Sequence, residues 1–150
     1  MDLNKVQTLF HEIAFNRSRF GIWCCESSDL GDEPNIAVRL GADPVNFAAF
    51  YKQKLDPQAD FIGLDDKKIT GFIAEIANSL GKLNVLVYNL DLLLARMSST
   101  QRNNFWENLF CGLVYHQRSL VILLPRNAEH LLPQGEAREN WLTNNRMIGF

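Results

Sequence analysis

Three short stretches carry the residues whose types and spacing could do chemistry. The first is "NVLVYNLDLLL" (84–94), where Val85, Leu86, Val87 and Tyr88 empty into Asn89 and Asp91. In open α/β sheets ligands collect beyond the carboxyl ends of the strands, so an acid there is placed to hold a cation. The second is "SLVILLPRN" (119–127), an apolar run ending in Arg126 and Asn127. A guanidinium in that position suits the charge on a phosphate, in its own site or lent to a neighbour's. The third is "IWCCESSDLGDE" (22–33), with vicinal Cys24 and Cys25 followed by Glu26, Asp29, Asp32 and Glu33.

Each has a plainer reading beside the chemical one. An aspartate leaving a strand is more often a turn or helix cap than a metal ligand, and Asp91 is read so. Arg126 doubles as a surface ion-pair partner. The acidic loop at 26–33 offers oxygens to a divalent cation, yet such loops are more often solvated. Cys24 and Cys25 lack the two-residue spacer of a thioredoxin-type pair. They read as small buried hydrophobes of a reducing compartment. Cys25 with the distant His116 would form a nucleophile pair only if the fold joined them. No G-x-S-x-G elbow appears, and the three histidines and three cysteines lack the short paired spacing of a zinc site. No catalytic residue, metal or cofactor is therefore expected. Asn89, Asp91 and Arg126 stand as the candidates for a bound group.

These positions depend on the elements that carry them. Leu3, Val6, Leu9, Phe10, Ile13 and Ala14 recur at helical spacing, which predicts a first helix over 2–16. "FGIWCC" (20–25) reads as a buried strand and "IAVRL" (36–40) as a second one. Asp43-Pro44 reads as a helix start, with the helix running to Leu55, and 56–64 as loop. Asp65 or Asp66 caps the next helix, whose stripe is Ile69, Phe72, Ile73, Ile76, Ala77 and Leu80, ended by Gly81. After the strand at 83–88, Ser98 and Gln101 form a capping box opening a helix over 99–117. The run at 119–124 is stopped by Pro125. Beyond it, one or two short helices and a weakly structured end are expected.

One helix of crossover length separates the runs 83–88 and 119–124, and neither alternates polar with apolar. That predicts a βαβ unit of adjacent parallel strands covered on both faces, near the sheet centre. The first two strands are left either antiparallel neighbours or non-adjacent. The expected architecture is a single α/β domain over 1–150, a three-layer sandwich with a mainly parallel sheet. Phe72, Ile76, Val87, Leu109, Leu113 and Ile122 should be nearly fully buried.

From 67 to 132 this pattern resembles the second half of the P-loop NTPases, AAA+ and related ATPases included. There an apolar strand ends in an acid that holds Mg²⁺, and the next strand ends in a polar sensor. The resemblance implies a P-loop-like fold with a degenerate site. No G-x-x-x-x-G-K-[ST] stretch surrounds a phosphate, and four carboxylates stand where that cradle would be. Asn89 occupies the Mg²⁺-ligand position and Leu90 that of the catalytic acid, with Asp91 displaced by two.

Bulk composition narrows the partners. The 150 residues are 47% hydrophobic with a net charge of −2, ordinary for a soluble domain and without a basic field for nucleic acid or anionic lipid. Neither a signal pattern nor an apolar run of bilayer length is visible, so a cytoplasmic protein that leaves membranes alone is expected. The expected function is that of a non-catalytic accessory or regulatory protein acting through a protein partner or self-association. Trp141, beside Arg138 and Arg146, is the candidate interface anchor with Arg126, whereas Phe105, Trp106 and Phe110 suffice for core. A nucleotide- or metal-binding enzyme subunit completed by a partner is the alternative. A nucleic-acid adaptor using Arg102, Arg118, Arg126, Arg138 and Arg146 is a further one.

Overall fold

Strands covered on both faces must send alternate side chains into two separate cores. In the computed structural model, which describes residues 2–55, 65–112 and 116–149, they do. Five parallel strands form one sheet in the order β2-β3-β4-β1-β5: β1 Phe20–Cys25, β2 Asp43–Asn46, β3 Asn84–Tyr88, β4 Ser119–Pro125 and β5 Met147–Ile148. β3 and β4 are adjacent and parallel, Val85 opposite Leu120 and Val87 opposite Ile122, with β4 at the sheet centre. The fold is an α/β sandwich with a parallel sheet, as expected.

On one face lie α1 (Leu3–Ile13) and α2 (Glu33–Arg39), packing Val6, Leu9 and Ile36 on Trp23, Leu86 and Val121. Gly21 lets α1 approach: a Cβ there would stand 3.1 Å from Leu9. On the other face lie α3 (Phe47–Lys54), α4 (Asp66–Asn78), α6 (Ser99–Glu107) and α7 (Glu136–Thr143), which bury Ile22, Val87 and Ile122. A one-turn helix, α5 (Asp91–Leu94), follows β3. Among the described residues no helix is long and apolar enough to cross a membrane.

Four expectations are corrected. Residues 36–40 belong to helix α2 and its cap: Ile36, Ala37 and Leu40 are buried while Val38 and Arg39 are exposed, a helical and not an alternating pattern. Pro34 in its first turn forfeits no intrahelical bond. Asp43-Pro44 opens strand β2, not a helix. As an edge strand β2 tolerates a residue without N–H, and Asn46 caps α3 instead, its side chain accepting from Ala49 N–H. The helix opened by the Ser98–Gln101 capping box becomes a π turn over Asn108–Gly112. The C-terminal end adds strand β5 to β1. Of the expected core, Ile76, Val87, Leu109 and Ile122 are buried, Phe72 is half-buried, and Leu113 lies outside the described residues; Leu80, expected on the apolar stripe of α4, is exposed beyond its end.

Two buried arginines join these parts. Arg118 donates to Lys82 O (2.8 Å), Ile76 O (3.3 Å), Ser79 Oγ (2.8 Å) and Asp43 Oδ2 (2.5 Å), linking β2, β4 and the end of α4. Arg146 donates to Phe20 O, Phe110 O and Leu109 O at 2.9–3.2 Å, over the rings of Phe110 and Trp141. Burial pulls its pKa down to about 10, partly countered by Cys111. A π turn leaves carbonyls without helical partners, and Arg146 fills that gap.

Leu109→Ala should lower the unfolding free energy in urea by about 2–5 kcal/mol. A midpoint equal to that of the wild type would mean the buried side of the π turn is wrongly assigned. His116 gives a pH dependence. It is buried, accepts from Arg19 N–H and contacts Arg118 O, and burial, with Arg19 and Arg146 nearby, lowers its pKa from 6.5 despite the Arg118 carbonyl. The unfolded chain then takes a proton before the folded chain does, so stability present above 6.5 falls as the pH drops below it. Urea midpoints should decline between about pH 7 and 5.5, more steeply for wild type than for His116→Gln. Parallel declines would contradict this.

Candidate functional site

Because all strands are parallel, their carboxyl ends share an upper rim and their amino ends a lower one. The upper rim collects Glu26, Asn46, Asn89, Arg126 and Gly149. Arg126 stitches it together: its backbone N–H donates to Cys25 O (2.8 Å), its Nε to Gly149 O (2.6 Å), and its guanidinium pairs with the Glu26 carboxylate. A cleft of about 170 Å³ opens beside this pair, with Asp2, Lys5, Cys25 and Asp29 on its walls.

The candidates separate along this rim. Asn89 has φ 62°, the left-handed conformation that asparagine tolerates, and it turns the chain so that Leu90 is buried. Asp91 is the first residue of α5 and half-buried. Burial raises its pKa, its own and Leu92's backbone N–H groups lower it, and Glu33 raises it again. Its electrostatic neighbour is thus a second carboxylate, whereas Arg126 is engaged with Glu26 and Gly149. Residues 27–29 of the acidic loop form a 3-10 turn. Among the described residues no three His, Cys, Asp or Glu are grouped to hold a metal ion.

The thiols are held apart and protonated. Cys24 enters the core beneath α7 and Cys25 the opposite one, as neighbours in a strand must. Burial raises Cys24 to about 12, with Cys25 adding and Arg126 and Arg138 opposing. Burial raises Cys25 to about 11, helped by Asp29, Glu33 and Glu26 and opposed by Arg126. His116 precedes β4 at the lower rim while Cys25 ends β1 at the upper, about 17 Å away at about 3.3 Å per residue. The fold does not join them as a nucleophile pair.

Trp141 is 1% exposed, packed edge-on against Trp106 and Phe110 with Arg146 above it. Its ring is a core anchor in this fold rather than a surface one. Arg102 and Arg138 grip main chain too: Arg102 donates to Leu94 O and Met97 O, and Arg138 to Pro133 O and Glu129 O, pairing also with the Glu129 carboxylate.

The lower rim holds what the sequence reading passed over. Four large apolar side chains are exposed there: Phe15 (80%) after α1, Val38 (64%) near the end of α2, and Leu80 (97%) and Leu83 (73%) on the turn before β3. A separate groove of about 360 Å³ near the same end is lined by Gln7, Phe10, His11, Ala14, Leu40 and Asn84, not by these four. The signal was present as apolar residues within turn sequence, "SLGKL" above all.

Compared with known proteins, the chain matches no family model, no curated protein and no solved structure.

Cys111, exposed at the π turn, should react with iodoacetamide at neutral pH, whereas Cys24 and Cys25 should react only on unfolding. Alkylation of Cys25 in the native protein at the rate of Cys111 would contradict the account of the upper rim.

Proposed function

We propose that this chain is a non-catalytic accessory or regulatory protein that acts through protein–protein contact, on an α/β frame resembling a P-loop domain with a degenerate nucleotide site. The observation that carries this reading is the lower rim. Exposed leucines and phenylalanines scattered singly are normal, but four on the segments at one end of the sheet favour an interaction surface. The upper rim supports the same reading. Where the P-loop resemblance would put a phosphate cradle, the chain has a 3-10 turn and the carboxylates Glu26, Asp29, Asp32 and Glu33. Phosphoryl transfer depends on positioned phosphates and Mg²⁺, so an acid such as Asp91 has nothing to act on without that cradle.

A second reading is favoured by Arg126 alone. Its guanidinium is half-exposed at the rim and would reach a phosphate held by a partner if Glu26 released it. On that reading activity appears only in a complex. Nucleic-acid binding draws least support, because Arg102, Arg118, Arg126, Arg138 and Arg146 all donate to carbonyls of the chain itself.

Titration with ATP or GTP plus Mg²⁺ should leave the melting temperature unchanged, where a nucleotide at about 100 times its Kd would add about 2.7 kcal/mol. Wild type and Asp91→Ala should show equal, background rates of ATP and GTP hydrolysis. Turnover that disappears in Asp91→Ala would replace this reading with an enzymatic one.

A further inference from the structure

We propose that the cleft between α7 and α6 with its π turn binds a small organic cation, a protonated amine carried on an apolar body. The inference goes beyond the contact reading and does not depend on it. The cleft holds about 560 Å³, against about 170 Å³ for the one at the upper rim. Pockets that enclose small organic molecules run from about 300 to 1,000 Å³ and are mostly apolar, with a few polar groups to fix orientation.

The walls follow from helical spacing. Asn103, Glu107, Phe110 and Cys111 stand at i, i+4, i+7 and i+8, on one face of α6 and the turn that continues it. Glu136, Ala137, Asn140 and Trp141 share a face of α7 in the same way. Phe110, half-buried, and Ala137 supply apolar surface. Buried Trp141 backs them, its ring meeting Phe110 edge-on at 5.2 Å. Gln134 closes one end. Its Nε2 donates to Glu129 O and Leu132 O, which leaves its side-chain carbonyl as an acceptor on the wall.

The formal charges on these walls are both negative. Glu107 and Glu136 stand one on each wall, exposed, and neither pairs with a cation among the described residues. No arginine lines the cleft. Arg102 is held by the carbonyls of Leu94 and Met97, and Arg138 by Glu129 and Pro133 O. Arg146 is held by the carbonyls of Phe20, Leu109 and Phe110, and Arg17 lies on the wall of a neighbouring cleft that shares Cys111. An anion would therefore meet two carboxylates with nothing to offset them, whereas a protonated amine would be drawn between them. A bare divalent cation fits less well, because it gathers six or more oxygens and has no use for an apolar floor. Among the described residues no three acids, histidines or cysteines are grouped to hold one.

Cys111 supplies the readout, because its thiol is on the same wall and donates to Glu107 O at 3.2 Å. Its alkylation by iodoacetamide at neutral pH is timed with and without each of three probes. Phenethylamine should slow it saturably, about tenfold at about ten times its Kd, since only free protein reacts. Methylamine has the charge without the apolar body, and phenylacetate has the body with the opposite charge. Both should leave the rate unchanged. In Glu107→Gln/Glu136→Gln the phenethylamine concentration for half-protection should rise about tenfold. The single substitutions replace the double variant should it melt early. No slowing by phenethylamine, or slowing that never saturates, would overturn the site. Equal protection by phenylacetate or methylamine would overturn the ligand class, and protection unchanged in the variants would overturn the role of the carboxylates. Each of those results would leave the contact reading standing, since the nucleotide titration tests that separately.

Discussion

Arg118 is the point on which the frame depends. A guanidinium taken out of water is costly unless nearly every donor is satisfied, and here the donors reach four acceptors, on Asp43, Ile76, Ser79 and Lys82. It binds the Asp43 carboxylate that opens β2 and two groups at the end of α4, and its own backbone N–H bonds Ala77 O. Gly81 lies beneath the ion pair: at φ +150° it has no side chain, and a Cβ would stand 2.5 Å from Asp43 Oδ2. The turn between α4 and β3 is thereby drawn inward by its polar groups, and Leu80 and Leu83 are left outside. The exposed apolar rim is a consequence of how a buried charge is satisfied.

Arg146 does the corresponding work at the other side of the sheet. It joins β1, the π turn and the Trp141 cluster, and its backbone carbonyl accepts from Ile22 N–H. The two residues explain why an arginine-rich C-terminal half carries no basic surface of matching size. Charges that a sequence displays as patches are used here as internal cross-links, and the exposed cations, Lys5, Arg39, Lys52, Lys67, Lys82 and Arg96 among them, are spread over the molecule.

The frame was legible where one strong periodicity ruled. The apolar runs at 20–25, 83–88 and 119–124 and the stripe of α4 gave their elements to within a residue or two, and the Ser98–Gln101 box gave the start of α6. Misreadings fell where two local rules competed. Five mostly apolar residues at 36–40 fit a strand or a short helix, and the decision came from Pro34 and the packing beneath α1. Asp-Pro fits a helix start or an edge strand, and Arg118, 75 residues away, made it the latter. Of the site, Asn89, Asp91 and Arg126 were placed correctly on one rim because strand ends alone fix that. The burial of Trp141 and the partners of Arg126 come from distant segments, which no local pattern encodes.

On the proposed reading the carboxyl ends of the strands hold no nucleotide, and amide-resolved NMR with added Mg²⁺–ATP tests that most directly. Adding Mg²⁺–ATP should shift no amide at 26–33, 89–92 or 126–127. Shifts on Mg²⁺–ATP centred on Asn89, Asp91 and Arg126 would contradict that reading.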